Sequence, residues 1–178
     1  ISFGLIMKKQ PYASLKKSSL PGSHDITKTV LQNGLKILTR PNFNTLSVSA
    51  AGYLTAGSLY EPREKMGLAD FTATMLMRGT HQGTFQEIYN TLESIGASLG
   101  FSGGKHTAGF SGKSLADDFD TLLTLLADSL RSPTFPKDHM ERVRSHLLTA
   151  LDLRSQDTGG MASLGFDEII YKGHPYQY

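Results

Sequence analysis

The chain has 178 residues, 39% hydrophobic and 19% charged, with a formal net charge of +2, a composition that suits a folded globular domain and excludes disordered and fibrous classes. The charge excess is local: Lys8, Lys9, Lys16 and Lys17 stand against one acid, Asp25, and removing these from 18 basic and 16 acidic residues leaves 14 against 15. The remainder offers no basic stripe for nucleic acid, and without cysteine there is no disulfide, thiolate ligand or thiol nucleophile.

Residues 1–25 mix Lys, Ser, Pro and Gly without hydrophobic period and read as a linker or extended arm, followed by a single domain over residues 26–178. The apolar start ISFGLIM is too short for a signal-peptide core and carries its charges on the wrong side. No signal or transmembrane segment is expected in this fragment, which reads as soluble, with its compartment undetermined. A first residue other than Met and the ending GHPYQY suggest a piece of a longer protein.

Thr27 to Arg40 holds two β-favouring runs around Asn33-Gly34, the dipeptide best suited to a tight hairpin turn. Leu46, Val48, Ala50, Gly52, Leu54 and Ala56 alternate as in a half-buried strand. GLADFTATMLMRGT, Gly67 to Thr80, follows as a short helix with Leu68, Phe71 and Met75 on one face and Gly79 placed to stop it. Thr84-Phe85-Gln86-Glu87 is a capping box that leads into a helix with Ile88, Leu92 and Ile95 on its stripe and Gly96 at its end. The Gly-rich run from Ser98 to Lys113 predicts a second hairpin around Gly103-Gly104. Leu115, Phe119, Leu122, Leu126 and Leu130 form one helical face, Pro133 and Pro136 reset the chain, and Pro136 suits a helix first turn. Met140, Val143, Leu147 and Leu151 mark the next helix, with a shorter one from Met161 to Tyr171. The order predicts an α+β fold: a mixed, largely antiparallel sheet with helices packed on one face.

The usual chemical constellations are thin. No two of the six histidines lie three or four apart. His139 and His146, seven apart on one helix, lack a third ligand nearby, and surface polar residues are the plainer reading. Gly112-Lys113-Ser114 lacks the earlier glycine of a phosphate-cradling loop, and no Gly-x-Ser-x-Gly elbow occurs.

From Thr27 to Tyr178 the chain resembles the first domain of a half-molecule of the insulinase, pitrilysin and mitochondrial processing peptidase superfamily. VLQNGLKIL resembles the family's opening hairpin, AGYLTAGSLYEPREKMGLADFTATMLMRGT its strand and motif helix, and TFQEIYNTLESIGASL its next helix and strand. LLADSLRSPTF and GFDEIIYKGHPY resemble its later helices and exit. Active members carry His-x-x-Glu-His on the motif helix: two zinc ligands and a general base, with a further Glu on a later helix. The resemblance places Asp70 and Thr74 at the histidine positions, Ala73 at the base, and the third ligand near Leu151. Thr is a poor zinc ligand, Leu is none, and Ala cannot move a proton. Leu151 also extends an apolar stripe and reads as core, while Asp70 in a helix first turn suits the exposed amides and the dipole.

The resemblance implies a non-catalytic domain that completes a peptide-binding chamber. It would pair with a catalytic domain or subunit carrying His-x-x-Glu-His, which would hold the Zn²⁺, with none in this domain. That partner half could be fused to this one or separate, and a homodimer is a further option. Peptide would lie on an exposed strand edge in the Gly-rich hairpin, at Ser98, Leu99, Gly100 and Phe101, where a flexible surface hairpin is the alternative. The competing expectation is a stand-alone peptide-binding or dimerising scaffold module without a protease partner. Neither nucleic acid nor membrane is expected as a partner.

Overall fold

The computed structural model describes residues 22–177 in two units, taken separately: one ending at Leu46, the other beginning at Ser47. The arm expected over residues 1–25 lies outside the described residues as far as residue 21.

In the first unit β1 (Thr27–Val30) and β2 (Lys36–Thr39) pair antiparallel, Thr27 opposite Thr39 and Val30 opposite Lys36. The expected turn is there: Gly34 has φ +86° and the Asn33 side chain accepts from the Leu35 amide, the left-handed backbone that glycine supplies at little cost. The Arg40 guanidinium, 2.8 Å from Asp25, together with the Gly22 amide holds the Asp25 carboxyl below the usual carboxylate range.

The second unit is built on a three-stranded antiparallel sheet in the order β3-β5-β4, formed by β3 (Ser47–Leu54), β4 (Ser98–Ser102) and β5 (Ala108–Leu115). Gly112 lies between Ala50 on one side and Leu99 on the other, and Phe110 between Gly52 and Phe101. Strand alternation therefore puts Leu99, Phe101, Phe110, Gly112 and Ser114 on one face. Ser98, Ser102, Ser111 and Lys113, all exposed, take the other. Gly52 makes room for its neighbour, since a Cβ there would come within 2.4 Å of the Phe110 ring.

Of the five helices, the first three pack on the apolar face, the fourth packs on the first, and the fifth on the fourth. They are α1 (Leu68–Met75), α2 (Phe85–Ser94), α3 (Phe119–Arg131), α4 (Lys137–Ser155) and α5 (Thr158–Ile170). Met77, Ile88, Leu92 and Leu122 form the buried cluster, with Leu99, Phe101, Phe119 and Leu125 packed against it. Each such side chain removed from water contributes about 1.5–3 kcal/mol, so this cluster and the fully buried Met75 hold α1 at the sheet. The capping box of α2 is complete: the Thr84 hydroxyl accepts from the Glu87 amide while the Glu87 carboxylate accepts from the Thr84 amide and hydroxyl. Gly96, at φ +59°, follows α2 in the left-handed conformation. The Arg78 guanidinium stands 5.0 Å from the Phe85 ring centroid, and that ring 5.1 Å from His139. This column ties the exit of α1 to the starts of α2 and α4.

Boundaries and burial differ from expectation in places. α1 ends at Met75, before Gly79, which instead bridges to Thr84 in a small loop. The stripe read from Leu115 onward begins in a strand: Leu115 is the exposed end of β5, a short 3-10 turn over 116–118 follows, and α3 starts at Phe119. Burial also fades along α4. Val143 and Leu147 are half-buried, but every residue from Leu148 to Gly159 is exposed, Leu151 at 48%. Leu151 is therefore not core: α4 packs against α1 and α5, and its last turns stay exposed among the described residues. Among the described residues no helix is long and apolar enough to cross a membrane.

Candidate functional site

The residues singled out on α1 share a side of the helix by their three- and four-residue spacing. Gly67 leads into the helix at φ +92°, and no N-cap side chain serves its first amides. Glu61, from the loop before, does so: its carboxylate accepts from the Gly67 amide at 2.8 Å and from the Ala69 amide. Asp70 stands in the first turn, as its expected interaction with the dipole requires, but the amide contact expected for it is corrected: its side chain is exposed and has no hydrogen bond or ion pair among the described residues. Ala73 is 4% exposed, and Thr74 is half-buried. Glu61 reaches forward six and eight residues, a span with no local capping signature for a sequence to display.

The turn after β4 presses on the same place. A Cβ on Gly103 would stand 2.5 Å from the Asp70 Cα, and one on Gly57 would stand 2.4 Å from the Lys105 carbonyl oxygen. Ser58 and Leu59 donate their amides to the Gly104 and Lys105 carbonyls, each at 3.0 Å. His106 Nε2 hydrogen-bonds the Tyr176 hydroxyl, and Lys105 Nζ lies 4.4 Å from the Tyr176 ring centroid. Segments 57–61, 67–70 and 103–106 thus meet at the end of β4.

β4 pairs with β5 on one side, and its other edge carries no partner strand among the described residues. Ser98, Leu99, Gly100 and Phe101 lie along that edge, with Ser98 exposed and the other three half-buried. The two histidines of α4 do not form a centre: the His139 ring lies on Phe85, and His146 is exposed.

Residues 36–158, more than half of the chain, match the family model described as Insulinase (Peptidase family M16). The chain belongs to the insulinase family of peptidases. It is 28% identical over 120 residues to the probable mitochondrial-processing peptidase subunit beta of Arabidopsis thaliana, covering 67% of this chain and 23% of that protein. Against cytochrome b-c1 complex subunit 1 of Mus musculus the identity is 26% over 151 residues, covering 83% and 30%. A crystal structure of a peptidase M16 inactive domain from Pseudomonas fluorescens superposes with a TM-score of 0.82 at 27% identity, covering 86% of this chain and 38% of that one. The chain therefore spans well under half the length of these insulinase-family relatives.

Zinc proteases occur among the relatives, but the residues at the expected zinc positions do not fit the ion. Asp70 offers one carboxylate, Thr74 a hydroxyl that binds zinc poorly at neutral pH, and Leu151 no donor. The carboxylate next to Leu151 is Asp152, which a helix turns away by about 100°. Among the described residues no three His, Cys, Asp or Glu side chains gather where they could hold a metal. With Ala at position 73 there is no side chain there to accept a proton from water.

Proposed function

We propose that this chain is a non-catalytic domain of a zinc protease of the insulinase and processing-peptidase family. It completes the peptide-binding chamber and pairs with a domain carrying His-x-x-Glu-His, where the Zn²⁺ and the hydrolytic chemistry reside. The observation that carries this reading is the contrast on α1. The helix is packed by Met75 and held at its start by Glu61, while Asp70, Ala73 and Thr74 supply neither a ligand set nor a base. Likeness to a solved inactive domain of the family supports a non-chemical role, and likeness to relatives named as subunits supports work in a pair.

Peptide contact falls to the free edge of β4 at Ser98, Leu99, Gly100 and Phe101. An extended peptide adding there hydrogen-bonds the unpaired amides and carbonyls and needs no particular side chain of the protein. Residues 26–178 act as one domain in this arrangement.

The test is metal analysis combined with cleavage of unstructured peptides, on this chain alone and with a His-x-x-Glu-His domain of its own genome. Alone, the chain should hold no stoichiometric zinc and cut nothing. The pair should cut in a chelator-sensitive manner and lose most of that activity when this chain is omitted. Chelator-sensitive cleavage by the isolated chain sinks the proposal, as does a catalytic domain indifferent to its presence.

A further inference from the structure

We infer that Asp70 is a specificity residue, whose carboxylate selects a Lys or Arg side chain on a peptide held by the β4 edge; this rests on the strand-edge reading above. The first amides of α1 are taken by Glu61, which also offsets the positive end of the helix. Asp70 is thus released from capping, and it stands exposed without a hydrogen bond or ion pair among the described residues. Its place relative to the edge is fixed by Gly103, whose missing side chain lets the end of the strand touch the Asp70 backbone. Four peptide residues paired along Ser98 to Phe101 span about 13 Å, at about 3.3 Å each. The next residue or two arrive beside Gly103, and therefore beside Asp70.

The cations of the adjoining turn do not neutralise this carboxylate. Lys105 lies over the Tyr176 ring and His106 is bonded to the Tyr176 hydroxyl, so both are drawn toward the 171–177 turn. Asp70 and Glu61 bring two carboxylates to the segments that meet at the end of β4, and a basic side chain complements them. A peptide with an acidic residue at that place meets repulsion, and one with a neutral residue meets neither.

The experiment is fluorescence anisotropy with labelled extended peptides of one sequence, carrying Lys, Gln or Glu at successive positions. Native protein should bind the best-placed Lys peptide about threefold more tightly than its Gln counterpart, the scale of an exposed ion pair. The preference should shrink as salt is raised from about 50 to about 500 mM. Asp70→Asn should erase it while leaving the Gln peptide unchanged, and Asp70→Lys should turn it toward Glu. A Lys preference that survives in Asp70→Asn overturns the inference and leaves the edge reading standing. N-methylation of the peptide amides that face β4 tests the edge separately. If the methylated peptides bind as well, or if no peptide binds at all, the edge reading fails and this inference fails with it.

Discussion

Gly103 and Ala73 are the two positions at which the absence of a side chain does most. Gly103→Ala would drive a Cβ into the Asp70 backbone, at 2.5 Å from its Cα, where neither segment can yield by turning a side chain. A loss of about 1–3 kcal/mol is expected, as for other overpacked sites, read as a lower midpoint in urea denaturation. Ala73 is 4% exposed, so the carboxylate of Ala73→Glu, at the position the resemblance gives to the base, would be buried. The expected loss is roughly 3 kcal/mol or more at neutral pH. Its sign is checked by titration: burial raises the folded pKa, so the deficit should shrink as pH falls toward the ordinary Glu value of about 4.3. Which residues the resemblance aligns with the zinc motif was legible in the sequence. Their environments were not, because Glu61 takes the amides from outside the helix and displaces Asp70 from the amide contact its position suggested.

Among the elements, α2 is the one that announces itself, since its capping box closes within four residues and needs nothing from the rest of the fold. Thr84→Ala should cost about 1 kcal/mol. The Thr84 amide and hydroxyl hold the Glu87 carboxyl below its ordinary range. A depressed carboxyl contributes stability that is fully present above its unfolded pKa and is lost as pH falls through the folded one. Urea midpoints between about pH 3 and pH 6 should therefore fall on the acid side, and less steeply in Thr84→Ala. The two hairpins were equally legible, because Asn33-Gly34 and Gly103-Gly104 are local signals. α3 and α4 were read less well for one reason: periodicity shows which face is apolar but not where the helix begins or what covers it. Leu115 keeps the 3.6-residue spacing while belonging to a strand, and Leu151 keeps it while remaining half exposed.

In the second unit as a whole, apolar surface is unevenly covered. The buried cluster gathers near α2, α3 and the sheet, whereas Leu148, Leu151 and Leu153 on α4 and Phe166, Ile169 and Ile170 on α5 are all about half exposed or more. The sequence read as helices packed on one face, but along α4 half-burial reaches Leu147 and every residue from Leu148 to Gly159 is exposed. The sheet order has a different consequence, which concerns time. β3 and β4 never touch; both pair with β5, the last of the three to leave a ribosome. Until β5 has emerged, β3 has no partner strand among the described residues, and Val48 pairs with Ser114, 66 positions later, while β4 closes locally onto β5. A chain ending at Thr107 should leave the amides of residues 48–54 open to hydrogen exchange, and one ending at Arg131 should protect them. The domain is thus assembled from its middle strand outward, although that strand is made last.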